Sequence, residues 1–291
     1  MDQFLQQVVS GIASGSLFAI VALAIVMIYR STDVLNFAQG EMALFSTFIA
    51  WTFMTSMNFW PAFFLALVVA AAMGIALERL VLRHVEEAPV LNAVIVTLGL
   101  FTVFNGLSLA VWGSLPKGFG PFSVFKGPAI DIGPASIGRV NVGILVVAVI
   151  IMVLLYLLFQ RTRLGLAMRA VAQNRVASRL VGIRVGQILS FGWGLSAAVG
   201  AVAGVLVAQT SGLTLDLMFR VLLFAFAAAV LGGLDSPAGA ILGGLAIGVM
   251  KNLAATYVDP GVDVTSAFVI IVAVLMVRPT GVFGHRVLRR V

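Results

Sequence analysis

The sequence predicts an all-α polytopic membrane protein with about eight or nine transmembrane or half-spanning helices, and three observations carry that expectation. Of its 291 residues, 61% are hydrophobic and only 10% charged, with a mean hydropathy of +1.13, against about 25% charged residues in an ordinary soluble domain. Apolar stretches near the roughly 20 residues needed to cross a hydrocarbon core recur along the whole chain. Six arginines and no acidic residue lie between Arg161 and Gln187, in a short segment flanked by two such stretches.

The first apolar span covers about 8–29. It follows no basic region and precedes no small-residue cleavage site, so it is expected to stay in the mature protein. The second, 37–57, opens at the polar break Asn36-Phe-Ala-Gln-Gly-Glu41, where Asn36 can cap the helix with Gln39 at N3 and the helix dipole favours Glu41. The third, 60–82, ends on Glu78 and Arg79, whose side chains are expected to reach the interface. A fourth covers 90–113. Segment 114–139, with Pro116, Pro121, Pro128 and Pro134, reads as an external loop, although Lys117, Lys126 and Arg139 run against a simple positive-inside count.

The fifth span, 140–160, leads into the Arg-rich loop 161–186. Translocating clustered arginines is costly, so that loop is expected on the cytoplasmic side. Spans at 187–210, 217–234, 237–256 and 263–278 follow. Only Asp235 and Ser236 separate 217–234 from 237–256, so one or both read as broken or half-spanning, with Ser236 as N-cap and Pro237 at N1. Nine crossings place Arg83 to Pro89 and the tail residues Arg278, Arg286, Arg289 and Arg290 inside, with the N-terminus outside. No composition shift marks a second domain, and residues 1–291 read as a single transmembrane domain.

Composition narrows the function. The net charge of +7 comes from basic residues beside apolar spans and in one loop, with no basic face interleaved with aromatics, which argues against nucleic acid. Without cysteine there are no disulfides, thiolate metal sites or thiol nucleophiles, and His84 and His285 fall apart in polar segments, so no metal or cofactor site is expected. Neither a G-x-S-x-G nor an H-E-x-x-H pattern occurs, and none of Lys117, Lys126 and Lys251 follows the Gly-rich run of a Walker A loop. The chain reads as a non-enzyme, and any ATP it uses is bound by another chain.

Ionisable residues inside spans are functional candidates. Lys251, Arg220, Glu78 and Arg79 are the few here, and Lys251 lies within reach of the external end, where it could equally snorkel. No acid is read deep in a span, which weakens proton-driven transport and favours an external energy source. The breaks at 36–41 and 232–239 look alike, and such pairs point either to internal repeats with a transport site or to tight, well-capped turns. Asn36, Gln39, Glu41, Asp235 and Ser236 are therefore the pathway or gate candidates. Gly200 and Gly204, Gly239 and Gly243, and Gly244 and Gly248 fit the small-xxx-small pattern of close helix packing, on faces that could also slide.

Together these residues resemble a known family. Gly15-Ser-Leu-Phe-Ala-Ile20 with Asp33-Val-Leu-Asn-Phe-Ala-Gln-Gly-Glu41, Met168-Arg-Ala-Val-Ala-Gln-Asn174 followed by Ala177 and Leu180-Val-Gly-Ile183, and Gly232-Gly-Leu-Asp-Ser-Pro-Ala-Gly-Ala240 are similar to the motifs of permease subunits of branched-chain amino-acid ABC importers of the LivH type. The resemblance implies a multi-pass subunit of the bacterial inner membrane that pairs with an identical or homologous permease, two cytoplasmic ATPases that bind ATP and magnesium, and a periplasmic solute-binding protein. It implies that Arg169 to Ile183 forms a coupling helix, with Arg169, Gln173, Asn174, Ala177, Leu180, Gly182 and Ile183 meeting an ATPase groove. Val171, Val176, Leu180 and Ile183 are available there for an apolar contact; the other reading of the loop is a solvated face that binds lipid headgroups. Branched-chain or other hydrophobic amino acids are the expected cargo, beside urea, short amides or aromatic acids within the same family. A passive small-solute channel is the competitor from another class.

Overall fold

The computed structural model describes residues 2–32, 34–85, 88–119, 125, 127–132, 135–259, 261, 263–278 and 280–284. Asp33, Pro121, Lys126, Pro134, His285, Arg286, Arg289 and Arg290, used in the sequence reading, lie outside them. Each of the nine apolar stretches forms one helix. They are α1 (Asp2–Thr32), α2 (Gln39–Met54), α3 (Phe59–Leu80), α4 (Val90–Trp112), α5 (Arg139–Arg161), α8 (Val185–Ser211), α9 (Leu217–Gly232), α10 (Pro237–Tyr257) and α11 (Asp263–Val277). Two further helices, α6 (Arg163–Gln173) and α7 (Arg175–Leu180), lie in the Arg-rich loop, and a 3-10 turn, Leu82–Val85, follows α3.

Length separates the nine. Helices α1, α3, α4, α5, α8 and α10 are long and apolar enough to cross a membrane. At 16, 16 and 15 residues, α2, α9 and α11 rise only about 22–24 Å, short of a hydrocarbon core of about 30 Å. The apolar run at 37–57 is longer than its helix because the polar break delays the start to Gln39 and a turn at Thr55–Ser56 ends it. Within loop 114–139, the all-α expectation meets a small exception, the antiparallel hairpin of β1 (Ile130–Ile132) and β2 (Ala135–Ile137).

Contacts gather the chain into two compact units, each discontinuous in sequence. The first comprises Met1–Val26, Phe125–Ala148 and Arg220–Val291. There α1 lies on α10 backbone to backbone: a Cβ added at Gly11 would stand 2.6 Å from Val249 Cα, and one at Gly15 only 2.7 Å from the Gly244 carbonyl oxygen. The small-xxx-small stripe is thus a packing face, as Gly244 and Gly248 answer Ala19, Gly15 and Gly11 across the contact. Phe18 stacks on Phe224 with centroids 4.9 Å apart, and Lys251 Nζ lies 5.8 and 5.2 Å from the two ring centroids. A cation over ring faces is held by their quadrupoles, so Lys251 is anchored on aromatics instead of simply snorkelling.

The second unit comprises Met27–Val124 and Val149–Phe219. Here α2 packs on α3, α4 and α8, and α3 on α8. Its core holds Ile28, Met42, Phe104, Trp193 and Ala197, with Phe45 set edge-on to Phe104 at 5.3 Å. Gly200 and Gly204 of α8 face Ala43 of α2, which brings these two helices close.

Candidate functional site

The break before α2 builds a buried polar cluster within the second unit. Asn36 is not the N-cap expected of it: the helix starts later, at Gln39, and Ala38 takes the cap position without a side-chain bond. Instead the Asn36 carbonyl oxygen of the side chain accepts from the Ala38 amide at 3.0 Å, a local turn that leaves its Nδ2 free to donate to Gln39 Oε1 at 3.2 Å. Gln39 then bridges to α8. Its Nε2 donates to the Ser196 carbonyl at 3.1 Å and its Oε1 accepts from Ser196 Oγ at 3.1 Å. Gly200, one turn along α8, makes the room, since a Cβ there would come within 2.6 Å of Gln39 Nε2.

Glu41 lies in the first turn of the same helix, 1% exposed, and Asn105 Nδ2 of α4 donates to its Oε2 at 3.2 Å. The carboxyl is therefore buried among helices although it stands at the start of its span. Position in the first helical turn suggested stabilisation by the helix dipole at a helix end, whereas packing of α2 against three neighbours closes that turn off from solvent. Asn36, Gln39, Glu41, Ser196 and Asn105 therefore form a set of amide, hydroxyl and carboxyl groups held among apolar helices. Ser196 and Asn105 were missed; Asn105, a lone amide in the middle of an apolar span, was the readable signal.

Asp235 and Ser236 belong to the other unit. Ser236 is the N-cap of α10, as expected: its Oγ accepts from the Gly239 amide at 3.0 Å and Pro237 follows at the first helical position. Gly233, with φ of +103°, supplies a backbone turn that a side chain would strain. The segment after α11 returns to this break, where the Val282 and Phe283 amides donate to the Leu231 and Gly232 carbonyls at 2.8 and 3.1 Å.

The Arg-rich loop is two helices, not one. Asn174 interrupts Arg169 to Ile183 with an extended backbone, its amide closing α6 and its Oδ1 accepting from the Ala177 amide at 2.9 Å to cap α7. Gly182, φ +83°, ends α7: its amide donates to Arg179 O and the Ile183 amide to Ser178 O, the paired bonds of a Schellman stop. Met168 and Val171 of α6 pack with Val185, Ile188 and Leu189 of α8, so Val171, at 1% exposed, is spent on the fold and is not available to a partner. Ile183 rests partly on the same cluster. Val176, Leu180 and Val181 remain exposed at 68%, 84% and 74%, beside Gln173, Asn174 and Ala177, which are exposed as well. Arg169 bonds Gln160 through its Nη1 at 3.0 Å.

At the start of α8, Glu78 corrects another expectation. Its carboxylate does not extend into solvent: it is buried and paired with Arg83, Nη2 to Oε2 at 3.0 Å, and it accepts from Ser190 Oγ. The 3-10 turn after α3 folds Arg83 back over the last helical turn, which no helical spacing announces. Among the described residues no group of three or more His, Asp or Glu converges as metal ligands would.

Comparison with known proteins follows the same lines. The family described as "Branched-chain amino acid transport system / permease component" matches residues 7–277. The high-affinity branched-chain amino acid transport system permease protein LivH of Salmonella typhimurium is 30% identical over 97% of this chain and 96% of that protein. BraD of Pseudomonas aeruginosa, a permease protein of the same description, is 31% identical over the same shares. Among solved structures, PsaBC from Streptococcus pneumoniae in complex with Fab superposes with a TM-score of 0.51 at 14% identity, over 95% of this chain and 92% of that one, a likeness of fold alone.

Proposed function

This chain belongs to the family of permease components of branched-chain amino acid transport systems, a multi-pass membrane family, and from that premise we propose that it is the membrane-spanning subunit of an ATP-driven ABC importer. Its cargo is a branched-chain or other hydrophobic amino acid, moved into the cytoplasm across a bacterial inner membrane. The whole chain acts as one permease domain beside a second permease, identical or homologous. Two cytoplasmic ATPase subunits bind ATP and magnesium, and a periplasmic binding protein delivers the solute. The chain itself performs no chemistry.

One observation supports coupling above all: α6 is fixed to α8 through Met168 and Val171 while α7 offers Val176 and Leu180 outward. An exposed apolar tip on a tethered helix suits a groove in a soluble partner. ATP binding and hydrolysis in the partners displace residues 169–183, and the displacement switches the helices between outward and inward access. Asn36, Gln39 and Glu41 line or support the gate in one unit, and Asp235 and Ser236 do so in the other. A zwitterionic solute meets amides, hydroxyls and helix ends on this path.

The test is uptake of labelled leucine into proteoliposomes holding this chain, its partner permease, the ATPases and the binding protein. Uptake that requires both ATP and the binding protein supports the importer; leucine flux without ATP overturns it in favour of a channel. Ala177→Asp places an acid in the first turn of α7, where the helix dipole tolerates it, so the fold is retained. That variant is expected to hydrolyse ATP without transporting. ATP-driven uptake at the unaltered rate removes the coupling role.

A further inference from the structure

A second charged feature lies beside the coupling loop. Between the end of α3 and the start of α8, within the second unit, an open cavity of about 620 Å³ is lined by Arg79, Arg83, Arg179 and Arg184, with Gly182 and Gln187. Glu78 neutralises one of these guanidinium groups, Arg83. Arg179 and Arg184 make no side-chain hydrogen bond or ion pair among the described residues, and all four arginines are exposed. The amino end of α8 opens into the same space without a side-chain cap and without an acidic residue in its first turn. The positive end of that 27-residue helix therefore adds to the guanidinium charge.

We propose that this cavity holds the phosphate headgroup of an anionic phospholipid. Three arginines without an acidic partner, Arg79, Arg179 and Arg184, beside a helix start with no acidic residue, form an anion receptor, and guanidinium groups pair phosphate oxygens in the planar, two-pronged manner that ammonium groups cannot. What selects a lipid over free phosphate is the surroundings. The cavity sits where two helices long and apolar enough to cross a membrane reach their polar ends, and Leu80 beside Arg79 and Val181 beside Gly182 are 74% exposed each, apolar surface for the glycerol and upper acyl chain. Basic pockets between helices on the cytoplasmic side hold such headgroups in general. The proposal rests on the membrane placement of α3 and α8; Arg179 and Gly182 also belong to the proposed coupling segment, and lipid retention by the chain without its ATPases separates the two roles.

Native mass spectrometry of the purified full chain tests it, with phosphatidylglycerol or phosphatidylcholine titrated in detergent. Phosphatidylglycerol is expected to be retained preferentially at one copy per chain. Replacing both Arg179 and Arg184 by Gln is expected to lower that preference by about tenfold to thirtyfold, while Arg175→Gln, outside the cavity lining, leaves it intact. Both variants are checked for native helicity and a single elution peak. Equal retention of the two lipids, a double variant with full preference, or displacement of phosphatidylglycerol by millimolar inorganic phosphate each overturns the proposal. Because retention is read without transport, its failure leaves the importer reading untouched.

Discussion

Replacing Gln39 by Leu keeps the side-chain volume close and deletes the bridge between α2 and α8. Three bonds go: Asn36 Nδ2 to Gln39 Oε1 at 3.2 Å, Gln39 Nε2 to Ser196 O at 3.1 Å, and Ser196 Oγ to Gln39 Oε1 at 3.1 Å. A net hydrogen bond contributes about 0.5–1.5 kcal/mol, and interhelical bonds in membrane bundles average about 0.6 kcal/mol. The expected loss over three bonds is therefore about 1.5–4.5 kcal/mol. Ser196→Ala deletes the hydroxyl bond but leaves the carbonyl that Gln39 also uses, so the two residues share one side-chain pair, and a double-mutant cycle should return a coupling of about 0.5–1.5 kcal/mol. Unfolding of the purified chain by graded dodecyl sulfate in maltoside micelles, followed by tryptophan fluorescence, measures all four corners. Strict additivity, or a Gln39→Leu cost below about 0.5 kcal/mol, would refute the claim that this amide fastens the two helices.

Three further outcomes follow from the geometry. Glu78→Gln should cost about 1–3 kcal/mol in the same assay by weakening the ion pair to Arg83 and the Ser190 bond, with Ser190→Ala costing less in that background than alone. Gly15→Leu has no space against the Gly244 carbonyl and Leu245 Cα, 2.7 and 2.8 Å from an added Cβ; overpacking of at least about 1–3 kcal/mol should reduce the yield of monodisperse protein far more than Ser14→Leu does. Gly182→Ala places a side chain at φ +83°, at a cost of about 1–2 kcal/mol, and should speed amide exchange at Ile183, whose N–H closes α7 on Ser178 O at 3.0 Å; unchanged exchange would remove the Schellman assignment.

What could be read in advance was what is encoded locally. Apolar runs announced every long helix, and Ser236-Pro237 announced the start of α10, because a cap and its helix lie within four residues. The failures share a cause as well. Asn36 fits a capping pattern, but its amide is drawn into a bond with Gln39, whose own partner lies 157 residues away. Glu78 fits an interfacial pattern, yet Ser190 and a 3-10 turn capture it. Val171 fits a docking pattern, but the apolar face of α6 had first to be covered, and Met168 and Val171, three apart, already marked the covered side. In each case a contact with α8 decided the outcome.

Helix α8 ties these features together mechanically. It runs unbroken from Val185, beside the Arg-rich loop, to Ser211, and it carries Ser196 eleven residues from its start, about 16 Å along the axis. No proline interrupts that stretch, and Val185, Ile188 and Leu189 clasp α6 at its near end. Under the proposed coupling, a displacement of the loop is carried along one continuous helix to the Gln39 bridge. Under that coupling, Phe191→Pro, placed between the α6 contact and Ser196, is expected to weaken transmission from the loop to the Gln39 bridge.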